Sequence, residues 1–232
     1  MIKAPISEIF FSYQGEGIYI GKPQIFVRFL GCNLKCDYCD TKITRKKYLT
    51  VNEVVKKIDK LSKKNFQQGS KIGPSVSLTG GEPLLHTVFL KNLLPLLIKK
   101  KYKIYLETNG TLPEELKKIN RWVDTIAMDI KLPSACLRDF FKEHKEFLKT
   151  GKGKAFVKLV LTAKSKIGEI EKAVKLVKNI SSKIPFIFQP ATPVIGCKTI
   201  TPFLLYNLAD KSRKHLDFVS ILPQMHKIWK IR

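Results

Sequence analysis

Short apolar runs alternate with longer amphipathic ones along most of this chain. Gln24–Leu30 is rich in β-branched and aromatic residues and reads as a strand. The runs Ser75–Thr79, Lys103–Glu107, Thr125–Ile130, Ala155–Leu161, Pro185–Gln189 and Asp217–Leu222 read the same way. Between them, Val51, Val54, Val55, Ile58 and Leu61 recur at helical spacing and predict a helix over Val51–Lys64. Further helices are predicted over Thr87–Lys100, Pro113–Ile119, Leu137–Leu148, Ile167–Asn179 and Pro202–Lys214. Leu112-Pro113-Glu114-Glu115 is a good helix start, with acids in the first turn. Strand–helix alternation predicts parallel βα units, hence an α/β fold. At 232 residues the chain is short for a full eight-stranded barrel. The pattern therefore predicts a partial, open barrel of mostly parallel strands, one domain over residues 1–232. Asn65–Gly73 is polar and reads as a surface loop.

Composition changes this picture little. A hydrophobic content of 44% is ordinary for a soluble globular protein. The longest apolar stretch, Phe89–Ile98, is broken by Lys91, Asn92 and Pro95, so no segment is long enough to span a bilayer. Met1-Ile2-Lys3-Ala4-Pro5 lacks a signal-peptide core, and a cytoplasmic location is expected. The net charge of +24 raises nucleic-acid binding as a reading. Most of the lysines, however, fall on predicted helices (Lys56, Lys57, Lys60, Lys63, Lys64; Lys99 to Lys101; Lys172, Lys175, Lys178), with few aromatics interleaved. Solvated helix faces are the favoured reading, with no direct nucleic-acid partner and no membrane expected.

The chemistry is concentrated after the first predicted strand. Cys32, Cys36 and Cys39 stand in the pattern Cys-x3-Cys-x2-Cys. Thiolates suit iron–sulfur clusters or zinc. A structural zinc needs a fourth Cys or His, and the next candidates, His86 and Cys136, have no finger-like spacing. A 4Fe–4S cluster held by three cysteines keeps one iron open to chemistry. Cys136 and Cys197 are isolated in sequence and are expected to be small core residues.

Other motifs follow strand ends, where α/β proteins place their sites. Thr79-Gly80-Gly81-Glu82-Pro83 puts paired glycines where backbone can approach a ligand, and Glu82 where it can accept from an ammonium. Taken alone this is also an ordinary βα turn. Glu107-Thr108-Asn109-Gly110 is explained as a turn, or as polar groups facing the same mouth. Met128-Asp129-Ile130-Lys131 brings a lysine to a fourth strand end, and Gln189-Pro190 closes the sixth. Upstream, Tyr13-Gln14-Gly15-Glu16-Gly17 is either a glycine turn or an amide and a carboxylate offered to a guanine- or pterin-like edge. Near the far end stands Gln224-Met225-His226-Lys227.

The cysteine loop, with the aromatic Tyr38 before its last cysteine, and Gly-Gly-Glu-Pro resemble the radical S-adenosylmethionine (SAM) superfamily. Gln-Gly-Glu-Gly, Phe-Val-Arg, the cysteines followed by Asp40-Thr41, Gly-Gly-Glu-Pro and Gln-x-His-Lys, in this order from about Ile6 to Trp229, resemble the 7-carboxy-7-deazaguanine synthases of the queuosine pathway. That resemblance implies conversion of 6-carboxy-5,6,7,8-tetrahydropterin with loss of ammonia, a 4Fe–4S cluster, SAM and Mg²⁺, and a homodimer. An electron donor such as flavodoxin or ferredoxin is implied too. It places Cys32, Cys36 and Cys39 on the cluster and Thr41 on Mg²⁺. Tyr38, Asp40, Gly80, Gly81, Glu82, Thr108, Asn109, Asp129, Lys131 and Gln189 fall at cofactor positions. Tyr13, Gln14, Gly15, Glu16, Arg28, Thr79, Gln224 and His226 fall at substrate positions. Arg28 has the bidentate fork that suits a carboxylate, and Thr41 is a hard oxygen donor. Two alternatives stay open: a radical SAM activase that installs a glycyl radical on a partner protein, and a zinc-stabilised nucleic-acid-binding module.

Overall fold

The computed structural model describes residues 2–39, 47–66, 73–193 and 196–231. Among these residues nine strands form one sheet: β1 (Lys3–Tyr13), β2 (Pro23–Phe29), β3 (Lys47–Thr50), β4 (Ser75–Gly80), β5 (Lys103–Thr108), β6 (Thr125–Asp129), β7 (Ala155–Leu161), β8 (Phe186–Pro190) and β9 (Val219–Ile221). Their order is β3-β1-β2-β4-β5-β6-β7-β8-β9, so β3 and β9 are the edges and the barrel stays open. From β2 to β9 every pairing is parallel, whereas β1 runs antiparallel to both β2 and β3. The helices are α1 (Val51–Asn65), α2 (Thr87–Lys99), α3 (Pro113–Ile119), α4 (Pro133–Cys136), α5 (Phe141–Thr150), α6 (Ile167–Ile180), α7 (Pro202–Arg213) and α8 (Met225–Ile228).

Seven strands were legible as apolar runs, and β1 and β3 were not. In β1 a bulge between Ile6 and Glu8 breaks the alternation, so Ala4 and Ile6 before it and Ile9 and Phe11 after it reach the same core three residues out of step. β3 has four residues at the sheet edge, too few to carry a pattern. The helix expected over Leu137–Leu148 begins later, as α5 at Phe141: Leu137, with a left-handed φ of 60°, caps the preceding α4, and Asp139 Oδ1 starts α5 by accepting from Phe141 N at 2.8 Å. α1 carries a reciprocal cap, in which Thr50 Oγ1 accepts from Glu53 N and Glu53 Oε2 accepts from Thr50 N at 2.7 Å. Of the loop expected over Asn65–Gly73, residues 67–72 lie outside the described residues.

The two faces of the sheet differ. On the outer face Val27, Leu78, Leu106, Met128, Leu159 and Phe188 lie under the helices in one large core. On the inner face Tyr105, Ala127, Phe156 and Ile187 form a smaller apolar floor, sealed by Tyr19. Beyond this floor, toward the carboxyl ends of the strands, the inner positions turn polar: Arg28, Thr79, Glu107, Asp129, Lys158 and Gln189. Alternation with period two thus places a hydrophobic floor and a polar rim on one face. The helix lysines named above lie exposed, as their pattern implied.

Candidate active site

The cysteine loop leaves β2 at Gly31, whose φ of 89° is a turn conformation that glycine permits. Cys32 and Cys39 are exposed and Cys36 is half-buried. Cys39 N donates to Cys36 O at 3.2 Å, tightening the second half of the loop, and Asp37 N donates to Ala135 O at 3.1 Å, tying it to α4. Asn33 Nδ2 donates to Thr111 Oγ1 at 2.8 Å and accepts, through Oδ1, from Asn109 Nδ2 at 2.9 Å. Cys32 Sγ accepts from Leu34 N at 3.4 Å and from Asn109 Nδ2 at 3.9 Å. Burial pushes the free Cys36 thiol up to about 11, against the pull of Lys131. Among the described residues no three His, Cys, Asp or Glu side chains converge on a single ion, these thiols included. A cluster, which gives each thiolate its own iron, does not need that convergence, so this soft donor set on a braced loop fits a 4Fe–4S group.

Gly80 and Gly81 admit the end of β2 and the start of this loop. A Cβ on Gly81 would lie 1.9 Å from Gly31 O, and one on Gly80 would lie 2.1 Å from Phe29 O. Gly81 N donates to Phe29 O at 3.0 Å and Glu82 N to Gly31 O at 2.8 Å. The Glu82 carboxylate, expected to meet an ammonium, is turned inward in this structure. It is 0% exposed, and it accepts from Leu84 N at 3.0 Å, Asn109 N at 2.8 Å and Thr108 Oγ1 at 3.0 Å. Burial raises it to about 7 despite these donors. Thr108 and Asn109 are likewise turned inward. Thr108 Oγ1 also accepts from Gly110 N, and Asn109 Oδ1 accepts from Thr111 N at 3.0 Å. Together these residues brace the floor under the cysteines.

The polar rim carries a chain of charges. Lys131 Nζ donates to Asp129 Oδ2 at 3.0 Å and to Tyr38 OH at 3.2 Å, lying over the Tyr38 ring. Lys158 Nζ lies 3.2 Å from Asp129 Oδ1 and pairs also with Glu16 Oε2. Glu16 Oε1 accepts from Gln224 Nε2 at 2.7 Å, and Gln224 Oε1 accepts from Thr192 Oγ1. The two ends of the chain therefore meet at the site. Met225 N donates to Gly15 O at 2.8 Å, and a Cβ on Gly15 would lie 2.5 Å from His226 Nδ1. A second group surrounds Glu107, which accepts from Thr79 Oγ1 at 2.7 Å, Gln14 Nε2 at 2.9 Å and Ser77 Oγ at 3.1 Å.

Several expectations change here. The Gln14 amide is buried, donating to Gln24 Oε1 and Glu107 and accepting from Glu16 N, so it orders the rim from behind. Tyr13 packs edge-on against Phe11, on the side of β1 opposite Ser12, and alternation takes it away from the inner face. Arg28 reaches the rim, but one guanidinium nitrogen is engaged by Glu8 and the side chain lies over Phe10. Asp40 and Thr41 lie outside the described residues. Cys197 is buried as expected. Cys136 is not an isolated core residue: it is half-buried on α4, which the Asp37 N to Ala135 O bond holds against the cysteine loop.

Sequence reasoning missed Lys158 and His144, and named Glu107 only among the polar groups of its strand end. A single lysine inside the all-buried strand AFVKLVL was a visible signal, since a buried ammonium demands partners. His144 is 0% exposed; its Nε2 accepts from Lys131 N at 3.0 Å, which leaves Nδ1 to donate to Gly110 O at 3.1 Å. Burial holds it down at about 4, so it is a neutral clamp between two strand-end loops. Gln189, 2% exposed on the inner face, has a carbonyl oxygen without a hydrogen-bond partner among the described residues, an acceptor that suits a ligand N–H or O–H.

A model of the radical SAM superfamily matches residues 26–168. A 7-carboxy-7-deazaguanine synthase of Geobacter sulfurreducens is 35% identical over 242 residues, spanning 97% of this chain and 96% of the relative. One of Archaeoglobus fulgidus is also 35% identical, over 100% of both chains. In fold the chain is similar to QueE from Escherichia coli, with a TM-score of 0.64 at 22% identity, covering 97% of this chain and 95% of that one. It is also similar to a radical SAM methyltransferase from Sphaerobacter thermophilus, with a TM-score of 0.64 at 14% identity over 86% of this chain and 66% of that one.

Proposed function

The chain belongs to the radical SAM superfamily and, within it, to the 7-carboxy-7-deazaguanine synthases, and on that premise we propose that it converts 6-carboxy-5,6,7,8-tetrahydropterin to 7-carboxy-7-deazaguanine with release of ammonia. The observation that carries this reading is the continuous charge chain from Tyr38 in the cysteine loop, through Lys131, Asp129 and Lys158, to Glu16. It joins the part of the site that would hold the cofactors to a rim whose acceptors suit a pterin edge.

Cys32, Cys36 and Cys39 would hold the cluster. Cluster and SAM together supply the one-electron chemistry that starts the reaction. Glu16 and Glu107 are the carboxylates that accept ring N–H donors. Gln14, Gln224, Ser77 and Thr79 fix their directions through the hydrogen bonds described above. Arg28 offers its remaining guanidinium edge to the substrate carboxylate, with Glu8 holding it at the rim. Thr41 is the oxygen donor assigned to Mg²⁺, and Gln189 supplies an acceptor to the cofactor. A reduced flavodoxin or ferredoxin as electron donor, a homodimer and a cytoplasmic location belong to the same reading.

Anaerobic incubation of reduced, reconstituted protein with SAM, Mg²⁺ and the carboxytetrahydropterin tests it. Deazapurine and ammonia are expected in equal amounts. SAM cleavage without deazapurine, together with a glycyl radical on an added protein, would move the assignment to an activase.

A further inference from the structure

Lys158 sits in the middle of β7, where its six companions are apolar and buried, and is 4% exposed. An ammonium in such a place needs anions. It has two, Glu16 and Asp129, but they are not equivalent. Asp129 has a second cation in Lys131, whereas the ion pair to Glu16 comes from Lys158 alone among the described lysines and arginines. Glu16 is itself 16% exposed, and its other hydrogen bond comes from the neutral Gln224 amide. The remaining titratable groups around the pair are His226 from α8, which faces Glu16, and Tyr105 and Glu107 from β5.

Resting on the reading of Glu16 as a substrate contact, we propose that Lys158 is a positioning residue that fixes Glu16 as an ionised acceptor, and thereby selects ligands presenting adjacent N–H donors such as the 2-amino-4-oxo edge of a pterin. Burial alone would raise Glu16, and a protonated carboxyl would present an O–H donor to that edge. With Lys158 in place Glu16 is held at about 2. The pair also bridges β7 to the loop after β1, so one contact sets both the charge and the place of the acceptor.

The test is equilibrium binding of pterin-6-carboxylate to the reconstituted enzyme with SAM, followed by pterin fluorescence from pH 5.5 to 7.5. Wild-type affinity should be flat within about twofold, because Glu16 stays ionised. Lys158→Met and Lys158→Gln should bind more weakly and lose about a further tenfold on acidification, as the ionised fraction falls tenfold per unit below the pKa. A neutral variant with a flat profile overturns the proposal, whether its affinity is unchanged or uniformly lowered. The uniform loss would mark a merely structural lysine. A wild-type profile that falls on acidification overturns it without any variant. No binding by the wild type would instead remove the substrate reading itself, and this proposal with it.

Discussion

Gly15→Ala probes the junction of the two chain ends with a single methyl group. No left-handed φ holds this glycine, so the perturbation is one of space. The new Cβ would lie 2.5 Å from His226 Nδ1, 2.6 Å from its Cβ and 2.7 Å from its backbone N. Carbon contacts settle at about 3.5–4.0 Å, so about 1 Å of movement is required. Two of the three atoms cannot rotate away, which leaves the backbone to shift. Such overpacking costs about 1–3 kcal/mol, and loss of the Met225 N to Gly15 O bond adds about 1 kcal/mol. α8 and the residues after it are half-buried or exposed, so the least costly relief is undocking of 224–231 with the rest of the fold intact. About 1.4–2.8 kcal/mol appearing in substrate binding is about 10- to 100-fold in KM. The assay is KM for the carboxytetrahydropterin and for SAM, with tryptic cleavage at Lys227 and Lys230 as the structural readout. KM for the pterin should rise while KM for SAM holds, and cleavage should accelerate. A pterin KM within twofold of wild type with unchanged tryptic resistance would refute the reasoning.

His144 predicts an acid-sensitive fold. Its pKa falls from 6.5 to about 4 on folding, so between these values the unfolded chain binds a proton that the native state excludes. Stability from this group is complete above pH 6.5 and is lost as pH falls toward 4, by about 3 kcal/mol in all. Denaturant unfolding at pH 7 and 4.5 should show a shallower slope in His144→Gln than in wild type, and equal slopes would remove the assignment. Cys32→Ala, Cys36→Ala and Cys39→Ala should each lose the iron, whereas Cys136→Ala and Cys197→Ala should keep it. Iron loss in Cys136→Ala would make that thiol a ligand, despite its place on α4.

What the sequence made legible is what local pattern encodes. The parallel strands are continuous apolar runs, and the cysteines and paired glycines are contiguous motifs, so both stood out. β1 hid behind its bulge at Ile6 to Glu8. Side-chain direction was hidden for a different reason. Glu82, Asn109 and Gln14 have the right chemistry to meet a ligand, but each turns toward hydrogen-bond partners contributed by other elements: Glu82 accepts from Asn109 N, Asn109 donates to Asn33, and Gln14 donates to Glu107. Whether an amide faces out or in depends on neighbours that spacing does not name. Lys158 was visible as an anomaly in an apolar strand, yet its partner Glu16 lies 142 residues away. Cys136 looked isolated for the same reason, until Asp37 N on Ala135 O brought α4 against the loop.

The central claim is that a carboxylate rim beside the cysteine loop reads the amino-bearing edge of a pterin. The most direct measurement compares wild-type affinity for pterin-6-carboxylate and for lumazine-6-carboxylate, which replaces the 2-amino donor with an oxygen. Sites that use buried polar groups to pair a ligand donor reject the analogue lacking it strongly, so a preference of at least about 100-fold for the pterin is predicted. Equal affinities would contradict the account.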